Sequence, residues 1–174
     1  PSSIFAAKWL DPLLNHLRST SPTTVKGAKA LWEALAQVCR EADALIKVTE
    51  GVSKLLTSGK VNSWEHRVIM YNALSSLAQA TEPVVSQKAL EGYFTMIAKE
   101  AHEQAMAAAV DGVGRHLTVL IYNDEFCSAN KEFVDKVVKT STDGLNAAKP
   151  LARKSWANAV GTTVWDHKDA TSAT

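Results

Sequence analysis

The sequence predicts an all-α chain, a right-handed α-solenoid of about four helical hairpins with about eight helices in all. Three observations carry that prediction. First, four stretches superimpose. Ala34-Leu35, Ala73-Leu74, Gly112-Val113 and Ala159-Val160 each place a small-then-apolar pair late in a helical segment, at intervals of 39, 39 and 47 residues. One turn earlier, on the same face, stand Leu31, Met70, Ala109 and Trp156. Second, the apolar residues between these pairs recur at helical spacing, the pattern of a buried stripe. Third, only 8 Gly and 5 Pro interrupt 174 residues, which favours long helices over a sandwich of short strands.

The first helix is expected from Ile4 to Arg18, with Phe5, Trp9, Leu10, Leu13, Leu14 and Leu17 as its stripe. Ser19-Thr20-Ser21-Pro22 ends it, because proline cannot continue a helix. The second runs from Thr23 to Cys39 with Val25, Ala28, Leu31, Leu35 and Val38 on one face. The third, from Ala42 to Leu56, presents Leu45, Val48, Val52, Leu55 and Leu56. After the Ser58-Gly59-Lys60 turn, Ser63 is the expected N-cap of the fourth, since its hydroxyl can accept an orphan backbone N–H. That helix carries Val68, Met70, Leu74 and Leu77.

Thr81-Glu82-Pro83 starts the fifth helix, with Pro in the first turn and Ala89, Leu90, Tyr93, Phe94 and Ile97 inward. Its joint to the sixth falls around Glu100 to Glu103, where neither Pro nor Gly marks a break, so one longer bent helix is the alternative. The sixth carries Met106, Ala109, Val110, Val113, Leu117 and Leu120. Leu117 to Tyr122 is rich in β-formers, but a lone strand would leave its backbone unpaired, so it is read as helix. Extra loop residues from Asn123 to Asn130 account for the longer third interval. The seventh helix has Phe133, Val134, Val137, Val138 and Leu145. Lys149-Pro150 opens the eighth, with Leu151, Trp156, Ala159, Val160, Val164 and Trp165. The pairs are therefore 4–39, 42–80, 83–122 and 129–166, followed by a flexible tail over 167–174.

A period near forty residues with two helical patterns per repeat makes these HEAT-like hairpins. The small residues at the repeated position let helix backbones approach closely. Gly112 and Gly114 each cost about 1 kcal/mol against Ala inside a helix, and close packing is the expected compensation. The chain opens at Pro1 and trails off in Ala173-Thr174, which reads as a segment of a longer solenoid.

The chemistry of the sequence points away from an enzyme. His102-Glu103 begins like a zinc-binding HExxH, but position 106 is Met, so the second ligand is missing. His16 and His116 read as capping or edge residues. Gly112-Val113-Gly114 lacks the strand-then-helix context of a nucleotide loop, and there is no GxSxG elbow. Cys39 and Cys127 are read as reduced thiols in or near the core, which suits the cytoplasm. Cofactor, metal, small-molecule substrate and membrane are all expected to be absent. No apolar run reaches the roughly 18 residues that a spanning helix needs.

Net charge is +1, yet it is unevenly spread. Residues 1–40 hold five Lys or Arg against two acids, residues 41–125 seven against eleven, and residues 126–154 six against three. Lys149 and Arg153 share a face at i, i+4 with Lys154 beside them, Lys136 and Lys139 lie on the preceding helix, and Lys26 and Lys29 lie at i, i+3 in the first pair. These seven residues are the candidate binding set, suited to phosphate or an acidic protein strand; the competing reading is a solvated helix face. Trp32 and Trp64 fit the apolar stripes less well and are placed at a joint between repeats or at an exposed edge.

The residue run Trp9-Leu10-Asp11-Pro12-Leu13-Leu14-Asn15-His16-Leu17-Arg18, followed by Ala30-Leu31-Trp32-Glu33-Ala34-Leu35, Leu55-Leu56-Thr57-Ser58-Gly59-Lys60 and Met70-Tyr71-Asn72-Ala73-Leu74, resembles the N-terminal HEAT region of the general-control translational activators. The likeness is clearest over residues 9–77 and looser to about residue 165. The resemblance implies a cytoplasmic, non-catalytic scaffold that engages the ribosome or the ribosomal stalk proteins and relays amino-acid starvation to the kinase acting on translation initiation factor two. It implies that kinase and an ABC-type ATPase as partners through other parts of a parent protein. The alternative is a generic interaction solenoid, such as a phosphatase scaffold or a transport-receptor segment.

Overall fold

The computed structural model describes residues 2–147 and 149–172, with side chains over 3–147 and 149–161. The described residues are all-helical, with no strand among them. Helix α1 runs as α-helix over Ser2–Ile4, as π-helix over Phe5–Trp9 and as α-helix again over Leu10–Leu17. It is followed by α2 (Pro22–Val38), α3 (Ala42–Thr57), α4 (Trp64–Ser76, extended by a 3-10 turn at Leu77–Ala80) and α5 (Pro83–Ile97). Then come α6 (Glu103–Ile121), the short α7 (Asp124–Ala129), α8 (Lys131–Leu145) and α9 (Pro150–Ser172).

Local chemistry explains most of these boundaries. Ser21 Oγ accepts the Thr24 N–H, and Pro22 stands in the first turn of α2. Ser63 Oγ accepts the His66 N–H at 3.4 Å, capping α4 as the sequence predicts. Pro83 opens α5 after Thr81, whose φ of 58° lies in the left-handed region and turns the chain out of the 3-10 segment. The joint expected near Glu100 is a true break: α5 ends at Ile97 and α6 begins at Glu103. Residues 117–121 are helical, so their β-branched content is overridden by packing.

Neighbouring helices pack in two rows. One row holds α1, α3 and α5; the other holds α2, α4, α6 and α9. Hairpin contacts α1 to α2, α3 to α4 and α5 to α6 join the rows, α8 packs on α9, and α7 packs on α6 and α8. The core is a continuous apolar layer between the rows, from Phe5 and Trp32 through Val48, Met70, Leu74, Leu90 and Val113 to Trp156.

Four expectations are corrected. Trp9 is 53% exposed rather than part of the buried stripe. The π-turn is the reason: the Leu10 N–H bonds the Phe5 carbonyl, so the residue stacked beneath Phe5 is five along, not four. In α2 the buried face is Ala28, Trp32, Ala36 and Cys39, while Leu31 and Val38 point outward. The helix is turned so that the Trp32 indole N–H can donate to the Ala73 carbonyl and Ser76 Oγ, each at 2.9 Å, on α4. Trp32 is thus a buried joint between hairpins. Residues 124–129 are a helix rather than a loop, because Asn123 Oδ1 accepts the Phe126 N–H at 2.8 Å and starts a new turn. Finally, α9 continues to Ser172, so residues 167–172, expected as tail, extend a helix that no Gly or Pro interrupts after Gly161. The side chains of Val164 and Trp165 lie outside the described residues.

The repeated pair behaves as expected in three of its four copies. Ala73, Leu74, Gly112, Val113 and Ala159 are buried and Val160 half-buried, whereas Ala34 is exposed and Leu35 half-buried, because α2 is turned toward α4 through Trp32. The glycines do what close approach requires. A methyl group on Gly114 would lie 2.9 Å from Ala159 Cβ and 3.0 Å from its Cα, so α6 and α9 touch nearly backbone to backbone there. A methyl group on Gly112 would collide with the Tyr93 hydroxyl, which reaches past it to donate to the Tyr71 carbonyl at 2.6 Å.

Candidate functional site

The seven predicted cations are all exposed, but they do not converge. Lys26 and Lys29 stand on α2, separated from α9 by α4 and α6 in the same row. Lys136 and Lys139 occupy the middle turns of α8. At a rise of about 1.5 Å per residue, Lys136 is roughly 14 Å along the axis from the end of that helix. Lys149 precedes α9, and Arg153 and Lys154 lie in its first turns, beside the other end of α8.

Three of the seven have partners within the chain. Lys139 Nζ meets Asp143 Oδ2 at 2.7 Å, an exposed i, i+4 pair that contributes little stability. Arg153 Nη1 donates to the Ala147 carbonyl at 2.7 Å, and Lys149 Nζ donates to the Ala101 carbonyl. The Leu151 N–H donates to Glu103 Oε1 at 3.2 Å, so an acid of α6 caps the start of α9. The basic end of α9 is therefore anchored to the connection between α5 and α6.

That connection, Ala98 to His102, is the best-built polar node in the described structure. The Glu100 side chain is 2% exposed, and its carboxylate accepts Arg67 Nε at 2.8 Å and Arg67 Nη2 at 2.9 Å in a bidentate pair. It also accepts Tyr71 Oη at 3.0 Å and the His102 N–H at 2.9 Å. Burial alone would raise the Glu100 carboxyl; the bonds from Arg67, the His102 N–H and Tyr71 outweigh it and hold the group below its ordinary value. The Glu100 partnership raises Arg67 further above its usual range. Burial, reinforced by Glu100, pushes the Tyr71 phenol well up, so it stays a donor at neutral pH. Arg67 is further held by the Asn62 carbonyl at 2.8 Å. His102 stacks on Trp64, ring centroids 4.4 Å apart and planes 6° from parallel, so Trp64 lies at a joint, half-buried.

Beside the node lies an open groove of about 370 Å³ rimmed by Asn62, Arg67, Lys99 and Glu100. Arg67 and Glu100 are engaged with each other, with Tyr71 and with backbone groups, so the node ties α4 to the connection between α5 and α6 rather than aiming a reactive atom outward. A second internal polar residue does similar work. His116, expected at an edge, is fully buried on α6, with Nδ1 3.0 Å from Ser86 Oγ on α5 and Nε2 3.1 Å from the Leu74 carbonyl on α4. Burial pulls its imidazole down to about 4, against an opposing effect of the Leu74 carbonyl, so it is neutral at pH 7. The signal was in the spacing: His116 falls on the stripe Val113, His116, Leu117, Leu120. No comparable signal marks Arg67 and Glu100, whose pairing spans 33 residues.

Cys39 is buried and Cys127 half-buried, both as free thiols. Among the described residues no three His, Cys, Asp or Glu side chains gather as metal ligands, and no helix is long and apolar enough to cross a membrane.

These features define an all-helical protein in which Trp32, Arg67, Tyr93, Glu100 and His116 tie one helix to another. Residues 64–174 match the family described as General control nonderepressible 1 (Gcn1) N-terminal. The chain belongs to that family. The matched span begins at the first residue of α4 and contains the Arg67–Glu100 node, His116 and the basic residues of α8 and α9; Lys26 and Lys29 fall outside it. No curated protein and no solved structure matches the chain.

Proposed function

We propose that this chain is a non-catalytic, cytoplasmic scaffold segment, a right-handed HEAT-type solenoid of hairpins 4–39, 42–80, 83–122 and 129–166, that helps a translational-control protein engage the ribosome. The observation that carries the reading is the family match over residues 64–174, which covers the basic end of the molecule. The two-row helix packing and the thirty-nine-residue register support the solenoid. In this reading Lys136, Lys139, Lys149, Arg153 and Lys154 face ribosomal RNA or an acidic stalk protein, and Lys26 and Lys29 form a separate, weaker contact. The starvation-responsive kinase and an ABC-type ATPase are engaged through other parts of a larger protein.

Co-sedimentation with purified ribosomes tests this. Lys149 and Arg153 also anchor α9, so the informative variant reverses Lys136 and Lys154 together, which leaves the anchoring bonds in place. The expected result is ribosome binding that falls in the double reversal and falls with added salt, because exposed charge is screened over about 10 Å at 0.1 M. Undiminished binding by the reversed variant would remove the basic face from the proposal. No binding by the unaltered chain would remove the ribosome.

A further inference from the structure

The register that revealed the repeat also aligns a set of polar residues. The residue just before each small-then-apolar pair is Glu33, Asn72, Asp111 and Asn158, so every copy carries a carboxylate or a carboxamide there, in strict alternation. All four are exposed, and they stand on α2, α4, α6 and α9, the four neighbouring helices of one row. The first three line a single open groove of about 410 Å³, together with Gln37, Gln79 and Arg115. That groove is distinct from the basic end of α8 and α9.

We propose that this ladder is a docking site for an extended, lysine- or arginine-bearing peptide in the polyproline II conformation. The spacing supports it. Packed helices lie roughly 8–10 Å apart. A polyproline II segment advances about 3.1 Å per residue with three residues per turn, so equivalent groups recur about every 9 Å on one side, once per helix. An extended β-strand has a two-residue side-chain repeat and would meet successive rungs with opposite faces. The chemistry fits as well. Polyproline II has no internal hydrogen bonds, so its carbonyls are free to accept from the Asn72 and Asn158 amides. Glu33 and Asp111 are acceptors only and call for cationic side chains in between. Burial raises the Asp111 carboxyl above its ordinary value, with Arg115 opposing, so an incoming cation finds a partly desolvated partner. Two carboxylates on four rungs disfavour a nucleic-acid backbone.

The test is fluorescence anisotropy of the 174-residue chain with a labelled peptide of five Lys-Pro-Pro units. The expected result is saturable binding that weakens with salt and is absent for a Glu-Pro-Pro peptide. Replacing both carboxylates (E33Q with D111N) should weaken binding about tenfold, as loss of two solvent-exposed ion pairs implies. Replacing both amides (N72A with N158A) should weaken it about threefold to fivefold. All four side chains are exposed, so thermal melting should show each variant folded. The idea is overturned if the Lys-Pro-Pro peptide does not bind, if both variants bind it as tightly as the parent, or if labelled polyuridine binds in its place. Equal affinity for a flexible Lys-Gly-Gly peptide would overturn the polyproline II register.

Discussion

Helices α6 and α8 are close in the chain and are held in opposite ways. In α6, Ala105, Ala109, Val110, Gly112, Val113, Gly114, His116, Leu117 and Leu120 are buried, because α4, α5 and α9 all pack on it. In α8 only Val137 and Ser141 are buried, and Val138 and Leu145 remain 58% and 39% exposed. Yet α8 has the cleaner division between apolar and charged faces in sequence. A sharp stripe identifies a helix with one side to bury. Small residues distributed around a helix identify one that other helices surround, since only they let several backbones come close.

Substitutions can break or sharpen this contrast. The largest effect is expected from Gly112→Ala. The new methyl group meets the Tyr93 hydroxyl, and α6 cannot retreat because Gly114 already rests on Ala159. Denaturant unfolding should show a loss of about 3 kcal/mol, at the upper end for overpacking, whereas Val138→Ala in α8 should change stability by no more than about 0.5 kcal/mol. Similar losses in the two helices would break the comparison.

A nearly equal effect should appear on acidification. His116 is neutral when folded, with its pKa lowered to about 4, while in the unfolded chain it titrates near its ordinary value. A depressed folded pKa means that the stabilisation is complete above about pH 6.5, declines as pH falls through that value and is exhausted near pH 4, a loss of about 3 kcal/mol. His116→Gln should flatten this part of the stability–pH curve; an unchanged slope would show that another group titrates there. Glu100, whose carboxyl is held low, adds a loss of the same sign at more acid pH.

Arg67→Ala should cost about 2 kcal/mol, less than for a fully buried pair because Arg67 retains 21% exposure, and Tyr71 and the His102 N–H still serve Glu100. The variant should also flatten the most acid part of the stability–pH curve, because Glu100 loses the guanidinium that lowers it and its folded and unfolded values draw together. The smallest effect is expected from Lys139→Ala, which removes only an exposed pair and should move the melting midpoint by less than the equivalent of about 0.5 kcal/mol. A loss comparable to that of Arg67→Ala would mean that α8 is held by its surface charges.

The caps were the most legible part of the fold. Ser63 and Pro83 stand where the sequence placed them, and the repeat intervals located the row of α2, α4, α6 and α9. The candidate site was legible only as a list of cations. Their separation along α8 and α9, and the use of Lys149 and Arg153 as anchors, depend on helix ends that meet only in three dimensions. The polar node was not legible, because Arg67 and Glu100 lie on different hairpins and neither belongs to a motif.

What the sequence determined alone is therefore local and periodic: helical character, most boundaries and the spacing of equivalent positions, because these follow from backbone hydrogen bonding, breakers and a 3.6-residue turn. Tertiary structure decided rotation and partnership. Trp32 turned α2 away from its apparent stripe to reach the Ala73 carbonyl, the π-turn moved Trp9 outward, and His116 went inside because Ser86 and Leu74 could satisfy it. Burying a polar atom is costly unless it finds a partner, and for Trp32 and His116 that partner belongs to another helix, so periodicity along one chain segment cannot name it.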